Sequence, residues 1–216
     1  MALNKKDFIE VEFTGRIKGG EVFDSNIKAD LEKLNPNAKP EPLIFCLGEG
    51  MFLKSIDDFL IGKEIGKYTI ELSPEKAFGA RFPQLVQMVP MKIFQSQRLT
   101  PYPGAVFNFD GRIAKVLAVS GGRVMVDFNN PLSGKHVSYS INVLRKIEDL
   151  NEKVKAIINF LFRRELKFSV QGKKVIIEVE KEMAKFAEMF KDKFKDILGL
   201  ELEIKEIEKI VPSKQQ

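Results

Sequence analysis

Tryptophan is absent from the 216 residues, and cysteine and histidine occur once each, as Cys46 and His136. A lone cysteine excludes an internal disulfide, and one cysteine with one histidine excludes a Cys/His zinc set. His136 lies between Lys135 and Val137 at the start of a strand pattern, which reads as a surface position rather than a base. Cys46 alternates with Phe45 and Leu47, the pattern of a packed thiol rather than a nucleophile. No apolar run approaches the ~18 residues of a spanning helix, and the N-terminal MALNKKDFIEVEF lacks the apolar core of a secretory signal. G-x-S-x-G, a Walker A loop and a dinucleotide fingerprint are all missing; Gly48-x-Gly50 lacks the third glycine and reads as a turn. Lys and Arg exceed Asp and Glu by five, yet the two signs interleave with no basic block. No nucleic-acid partner, no membrane partner, no cofactor and no metal are therefore expected, in a reducing cytoplasm.

What is present is alternation. Val137, Tyr139, Ile141 and Val143 line one face of a strand that follows the turn Asn129-Asn-Pro-Leu-Ser-Gly134. Far upstream, Phe8 to Phe13 and Glu21 to Phe23 show the same half-buried pattern, so the two regions read as parts of one sheet. Leu43, Phe45, Leu47 and later Tyr68, Ile70, Leu72 supply further strands, while 29–34 reads as a short helix. Between them Phe52, Leu53, Ile56, Phe59 and Leu60 recur at three and four residues, one face of a short helix ended by Gly62.

Residues 83–129 read as a separate small all-β insert with hairpin turns at Asp110-Gly111 and Gly121-Gly122. Residues 1–82 plus 130–149 then form the sheet domain. Residues 150–216 read as an α-β-β-α-β domain, with its second helix running from Met183 to Leu198. The fold class is thus α+β.

The chemistry-bearing candidates are aromatic. Phe13, Phe23, Phe45, Phe52, Phe78 and Tyr139 sit in loops and at strand ends, with Asp24 the one acid among them. Six ordered motifs carry a family likeness: Phe13-Thr-Gly15, Gly20-Glu-Val-Phe-Asp24-Ser25, Phe45-x-Leu-Gly48, Leu60-x-Gly62-x-x-x-Gly66, Ser73-Pro-Glu-x-Ala-Phe-Gly79 and Val126-Asp-Phe-Asn-Asn-Pro-Leu-Ser-Gly134. On these the sequence resembles the FKBP-type peptidyl-prolyl cis-trans isomerases, and most the branch with an inserted flap domain, as in SlyD and the longer archaeal relatives.

The resemblance implies a twisted antiparallel sheet around a short helix and an isomerase acting on X-Pro bonds. It implies catalytic roles for Asp24, Tyr139 and Phe23, and substrate binding by Phe13, Phe45, Phe52, Leu53, Ile56 and Phe78, with the Leu53 N–H holding a substrate carbonyl. Phe13 and Phe78 stand where the family commonly has tyrosine, so two hydroxyls are missing, and Ile56 forms the pocket floor. The histidine-rich metal-binding tail of SlyD is not matched, so nickel handling is not carried over. Val86, Met88, Val89, Met91, Phe94, Val106 and Phe107 would line a chaperone groove in the insert that captures unfolded or nascent proline-containing chains. The alternatives are a binding-only chaperone and a scaffold with little isomerase activity. A homodimer through 150–216 is expected because the apolar surface there exceeds what so small a unit encloses, with packing onto the sheet domain as the rival.

Overall fold

The computed structural model describes residues 2–109 and 111–208. The N-terminal stretch folds as β1 (Phe8–Ile17), β2 (Val22–Ser25), α1 (Lys28–Leu34), β3 (Leu43–Cys46), α2 (Lys54–Leu60) and β4 (Gly66–Leu72). Next come β5 (Val86–Pro90), α3 (Met91–Ser96), β6 (Val106–Phe109), β7 (Arg112–Ser120) and β8 (Arg123–Asp127), before β9 (Val137–Lys146). The C-terminal stretch runs α4 (Leu150–Phe162), β10 (Phe168–Gln171), β11 (Lys174–Glu180), α5 (Lys181–Glu188), α6 (Lys191–Leu198) and β12 (Glu201–Ile207). The chain divides into two compact units, one within Met1–Arg16, Val22–Ile70 and Tyr139–Gln216, the other within Ile17–Glu21 and Glu71–Ser138.

The first sheet has the order β2-β1-β9-β4, with β3 pairing β1. The alternation of β1 and β9 is realised as a buried face: Ile9, Val11 and Phe13 on one strand, Val137, Tyr139, Ile141 and Val143 on the other. α2 contributes Ile56 and Leu60, both fully buried. The helix begins at Lys54, so Phe52 and Leu53 precede it, and Leu53 occupies its N-cap position.

In the C-terminal region β10 and β11 form a hairpin, and β12 pairs with β11 in parallel after the crossover through α5 and α6. The single helix expected from Met183 to Leu198 is broken around Met189 and Phe190. The break lets Phe186 and Phe190 ring Phe162 edge-on while Phe194 enters the core. α4 is not free: Val154, Ile157, Ile158 and Phe162 share one core with Phe8, Cys46 and Ile147 of the sheet region. Asp149 caps α4 by accepting the Glu152 N–H at 2.9 Å. Arg145 then ties the helix to the sheet, donating to Glu152 at 2.6 Å and to Glu10 at 2.5 Å.

The second unit holds the sheet β5-β8-β7-β6. Its core gathers Ala105, Ala114, Val116, Val124 and Val126 around Phe94. α3 is a helical element that the strand pattern does not foresee. Pro90 ends β5, and the one turn that follows places Phe94 inward against Phe107 and Phe109, with ring centroids 5.6 and 5.3 Å away. The Gly121-Gly122 turn is found between β7 and β8; at the other hairpin Asp110 lies outside the described residues. Asn129, buried, fastens the base of the insert, accepting from the Phe82 N–H at 2.9 Å and donating to the Phe82 carbonyl at 3.0 Å.

Candidate active site

The residues Asp24-Ser25-Asn26 end β2, and the last two lock it. The Ser25 hydroxyl donates to the Phe13 carbonyl and accepts from the Ile27 N–H, each at 3.0 Å. Asn26 accepts from the Phe13 N–H at 2.7 Å and donates to the carbonyls of Val11 and Glu41 at 2.9 and 3.1 Å. These side-chain bonds to the backbone, beside the Asn26 N–H that also donates to the Phe13 carbonyl at 3.2 Å, fix the edge on which Asp24 stands. Asp24 keeps solvent exposure, while the apolar surroundings raise its pKa above the ordinary carboxylate value against an opposing bond from the Ser25 N–H.

Beside it the aromatic side chains converge. Phe13 and Phe52 lie 4.9 Å apart between ring centroids, Phe45 and Phe52 5.5 Å, and Phe52 meets Tyr139 edge-on at 5.7 Å and 83°. Phe23 meets Tyr139 at 5.7 Å and 85°. Edge-to-face packing of this kind holds rings without sandwiching them, which leaves their faces to line a cleft. Burial, with the nearby Asp24 charge, pushes the Tyr139 hydroxyl well above its ordinary pKa, so it is a neutral donor across the physiological range. Gly15 makes the convergence sterically feasible: a Cβ there would approach the rings of Phe23 and Tyr139 to 2.9 Å.

Ile56, fully buried, closes the floor. The Leu53 N–H has no intrachain acceptor among the described residues, since the α2 N-cap leaves its own amide outside the helix. The loop before it is held by Asp57, one carboxylate oxygen of which accepts the N–H groups of Gly48 at 3.0 Å and Gly50 at 3.4 Å. Its other oxygen is buried with no hydrogen-bond partner among the described residues, and burial raises the Asp57 pKa to about 6. Cys46 is buried, and desolvation pushes its thiol up to about 12, which leaves no thiolate for chemistry. His136 is exposed.

The structure thus brings together Phe13, Phe23, Asp24, Phe45, Phe52 and Tyr139, with Leu53 and Ile56 carried on α2 and its leading loop. Phe78 belongs to the other unit, where its carbonyl accepts from the Ser133 hydroxyl at 3.2 Å. Of the seven groove candidates, Met88 and Val106 are exposed on one face of the insert's sheet and Val86 is half-buried on that face. Val89, Met91 and Phe107 pack against the insert's core, and Phe94 is fully buried at its centre. Sequence reasoning missed Ser25, Asn26 and Asp57, whose partners are backbone groups and therefore leave no periodic signal. It also missed Ile113 and Met125, exposed apolar residues on the same face as Met88.

No helix among the described residues is long and apolar enough to cross a membrane, and no group of three or more His, Cys, Asp or Glu side chains suited to a metal is found there. Residues 1–100 match the family described as FKBP-type peptidyl-prolyl cis-trans isomerase, and residues 87–132 match the one described as FKBP26, IF domain. The chain is 30% identical over 146 residues to the short-type peptidyl-prolyl cis-trans isomerase of Methanocaldococcus jannaschii, covering 65% of this chain and 92% of that protein. It is 29% identical over 140 residues to the probable FKBP-type 16 kDa isomerase of Pseudomonas fluorescens, covering 63% and 86%. SlyD of Aeromonas hydrophila is 27% identical over 138 residues, covering 62% and 60%. With its aromatic cleft, the mixed α+β fold and these relationships, the chain belongs to the FKBP-type peptidyl-prolyl cis-trans isomerases.

Proposed function

We propose that the cleft of Phe13, Phe23, Asp24, Phe45, Phe52 and Tyr139 is where this isomerase twists X-Pro bonds, and that the insert presents unfolded or nascent chains to it. Rotation about a prolyl C–N bond is opposed by amide resonance, a barrier of ~18–20 kcal/mol, and needs no nucleophile. An apolar cleft disfavours the dipolar planar amide relative to the twisted one, and preorganised polar groups add to this where charge shifts during rotation. Asp24 orients the twisted amide, Tyr139 and Ile56 seat the proline ring, and the Leu53 N–H holds a substrate carbonyl. The observation that carries the reading is the clustered rings beside an acid and an unengaged backbone donor.

Support for client capture is the exposed face of the insert's sheet. Met88 pairs in register with Met125, and Val106 and Ile113 fall on the same face, with exposures of 53, 38, 60 and 61%. Flexible methionines suit varied clients. Pairing of two copies through 150–216 is part of the proposal, supported by Phe186 and Met189, exposed by 44 and 75%. The setting is a reducing cytoplasm, in keeping with a single buried thiol.

The test is turnover of a proline tetrapeptide beside proline-limited refolding of a whole protein. The intact chain should catalyse both, and a chain lacking 83–129 should retain the first and lose most of the second. Absence of tetrapeptide turnover would leave a binding-only chaperone. Light scattering at micromolar concentration tests the pairing.

A further inference from the structure

The cleft does not end at the aromatic residues. Phe13, Asp24, Phe45 and Phe52 line a cavity of about 810 Å3 that continues without interruption along α4, bounded there by Ala156, Asn159, Phe160 and Arg163 and on the sheet side by Ile44 and Met51. Sites of this size hold ligands much larger than one prolyl residue. Part of the charged rim is paired, Arg145 with Glu10 and Glu152 and Lys155 with Glu165 at 2.8 Å, while the lining carboxylates Asp24 and Glu41 have no ion pair among the described residues. Arg163 lies over the ring of Phe160, 5.5 Å from its centroid. Asn159 is exposed on the same helix. A side-chain amide presents one acceptor and two donors, the complement of a peptide group.

We infer that the C-terminal helix α4 forms a second subsite of the isomerase, which binds an extended, uncharged apolar stretch of the substrate flanking its proline. This rests on the reading of the aromatic cleft as the prolyl site. The occupant follows from continuity: Tyr139, which seats the proline ring, packs against Phe13 and Phe52, and these two rings line the cavity that leads the flank along to α4. Its character follows from the lining, where apolar side chains offer burial, Asn159 offers the peptide group two hydrogen bonds, and the carboxylates of Asp24 and Glu41, which no ion pair among the described residues neutralises, repel an acidic flank. The C-terminal region would thereby set substrate preference beyond the proline.

Binding of fluorescent peptides to the full chain tests this. The probes are a blocked proline tetrapeptide, the same peptide extended on either side by four apolar residues, and length controls extended by Gly-Ser. One of the apolar extensions should tighten binding about tenfold over its control, the gain from burying one apolar side chain. Asn159→Trp, which fills the cleft from an exposed helical position, and Phe160→Ser should each abolish most of that gain while leaving tetrapeptide binding and turnover unchanged. An apolar extension no better than Gly-Ser, or a gain that survives both variants, overturns the inference and places the flank elsewhere. Tetrapeptide turnover is read separately: its absence in the intact chain counts against the isomerase assignment of the cleft, and the extension series still decides the subsite.

Discussion

Phe23 and Tyr139 meet edge-to-face over Gly15, with centroids 5.7 Å apart at 85°, and a methyl group on Gly15 would come within 2.9 Å of both. Three residues from three separate stretches of the chain therefore form one contact, in which the missing side chain matters as much as the two rings. Gly15→Ala must push at least one ring from its place. Overpacking of this kind typically costs about 1–3 kcal/mol, and the cleft should lose activity even where the fold survives. Tetrapeptide turnover at or above half the parent level, with an unchanged denaturation midpoint, would show that the rings yield without consequence.

Asp24 is placed by Ser25 and Asn26 and carries no bond of its own to another side chain among the described residues. Asp24→Asn should leave stability within about 0.5 kcal/mol, as for surface changes generally. It should lower kcat/KM on a prolyl peptide roughly tenfold, the worth of one electrostatic contact made in the transition state at a solvent-exposed position. Tyr139→Phe should separate hydroxyl from ring: full activity in that variant would assign Tyr139 to packing alone.

Much of the cleft was legible because Phe13-Thr-Gly15 lies within β1 and Phe23-Asp24 and Phe45-x-Leu lie at or beside the ends of β2 and β3, strands whose alternation announces them. Asn26 and Asp57 were not, since a polar side chain that satisfies distant backbone N–H groups has no period to betray it. The helical spacing of Val154, Ile157, Ile158 and Leu161 showed that α4 buries a face, and it was silent on what covers that face. Phe94 misled for a related reason: a phenylalanine in a short apolar run looks alike whether it lines a groove or fills a core. Only the turn introduced after Pro90 sends it inward.

Asp57 gives a pH signature. Its folded pKa, about 6, is raised above the ordinary 3.8 by burial. The native state therefore holds the proton more tightly, so the contribution to stability is complete below about pH 4 and is lost as pH rises to about 6. The difference amounts to about 3 kcal/mol at most. In Asp57→Asn the amide oxygen still accepts from Gly48 and Gly50 and the dependence disappears. Urea unfolding of both chains from pH 4 to 7 should show the parent falling relative to the variant across that window; curves that stay parallel would remove Asp57 as the cause.

The insert's exposed face is open to a direct challenge. Met88→Glu with Met125→Glu places two like charges on paired positions of β5 and β8 without touching the core around Phe94. Suppression of aggregation by the intact chain, measured with an unfolded client, should fall severalfold, since each buried apolar side chain is worth about 1.5–3 kcal/mol. Tetrapeptide turnover should not change. Undiminished suppression would shift client capture to another surface.

The C-terminal region supplies the last prediction. Read as a free appendage, residues 150–216 should be removable after Asp149 with activity intact. The packing argues otherwise. α4 buries Val154, Ile157, Ile158 and Phe162 in the same cluster as Phe8, Cys46 and Ile147, and Arg145 bridges Glu10 of β1 to Glu152 of α4. Removing those four side chains forfeits about 1.5–3 kcal/mol each, which together reaches the 5–15 kcal/mol that whole domains possess. The shortened chain, with Phe8 and Ile147 uncovered, should aggregate or melt well below the parent, and turnover should fall with the folded fraction. Restoring α4 alone, by cutting after Arg164, should recover part of the loss. A soluble 1–149 fragment with the parent's urea midpoint and full tetrapeptide turnover would show that the α4 contact contributes nothing to the sheet domain.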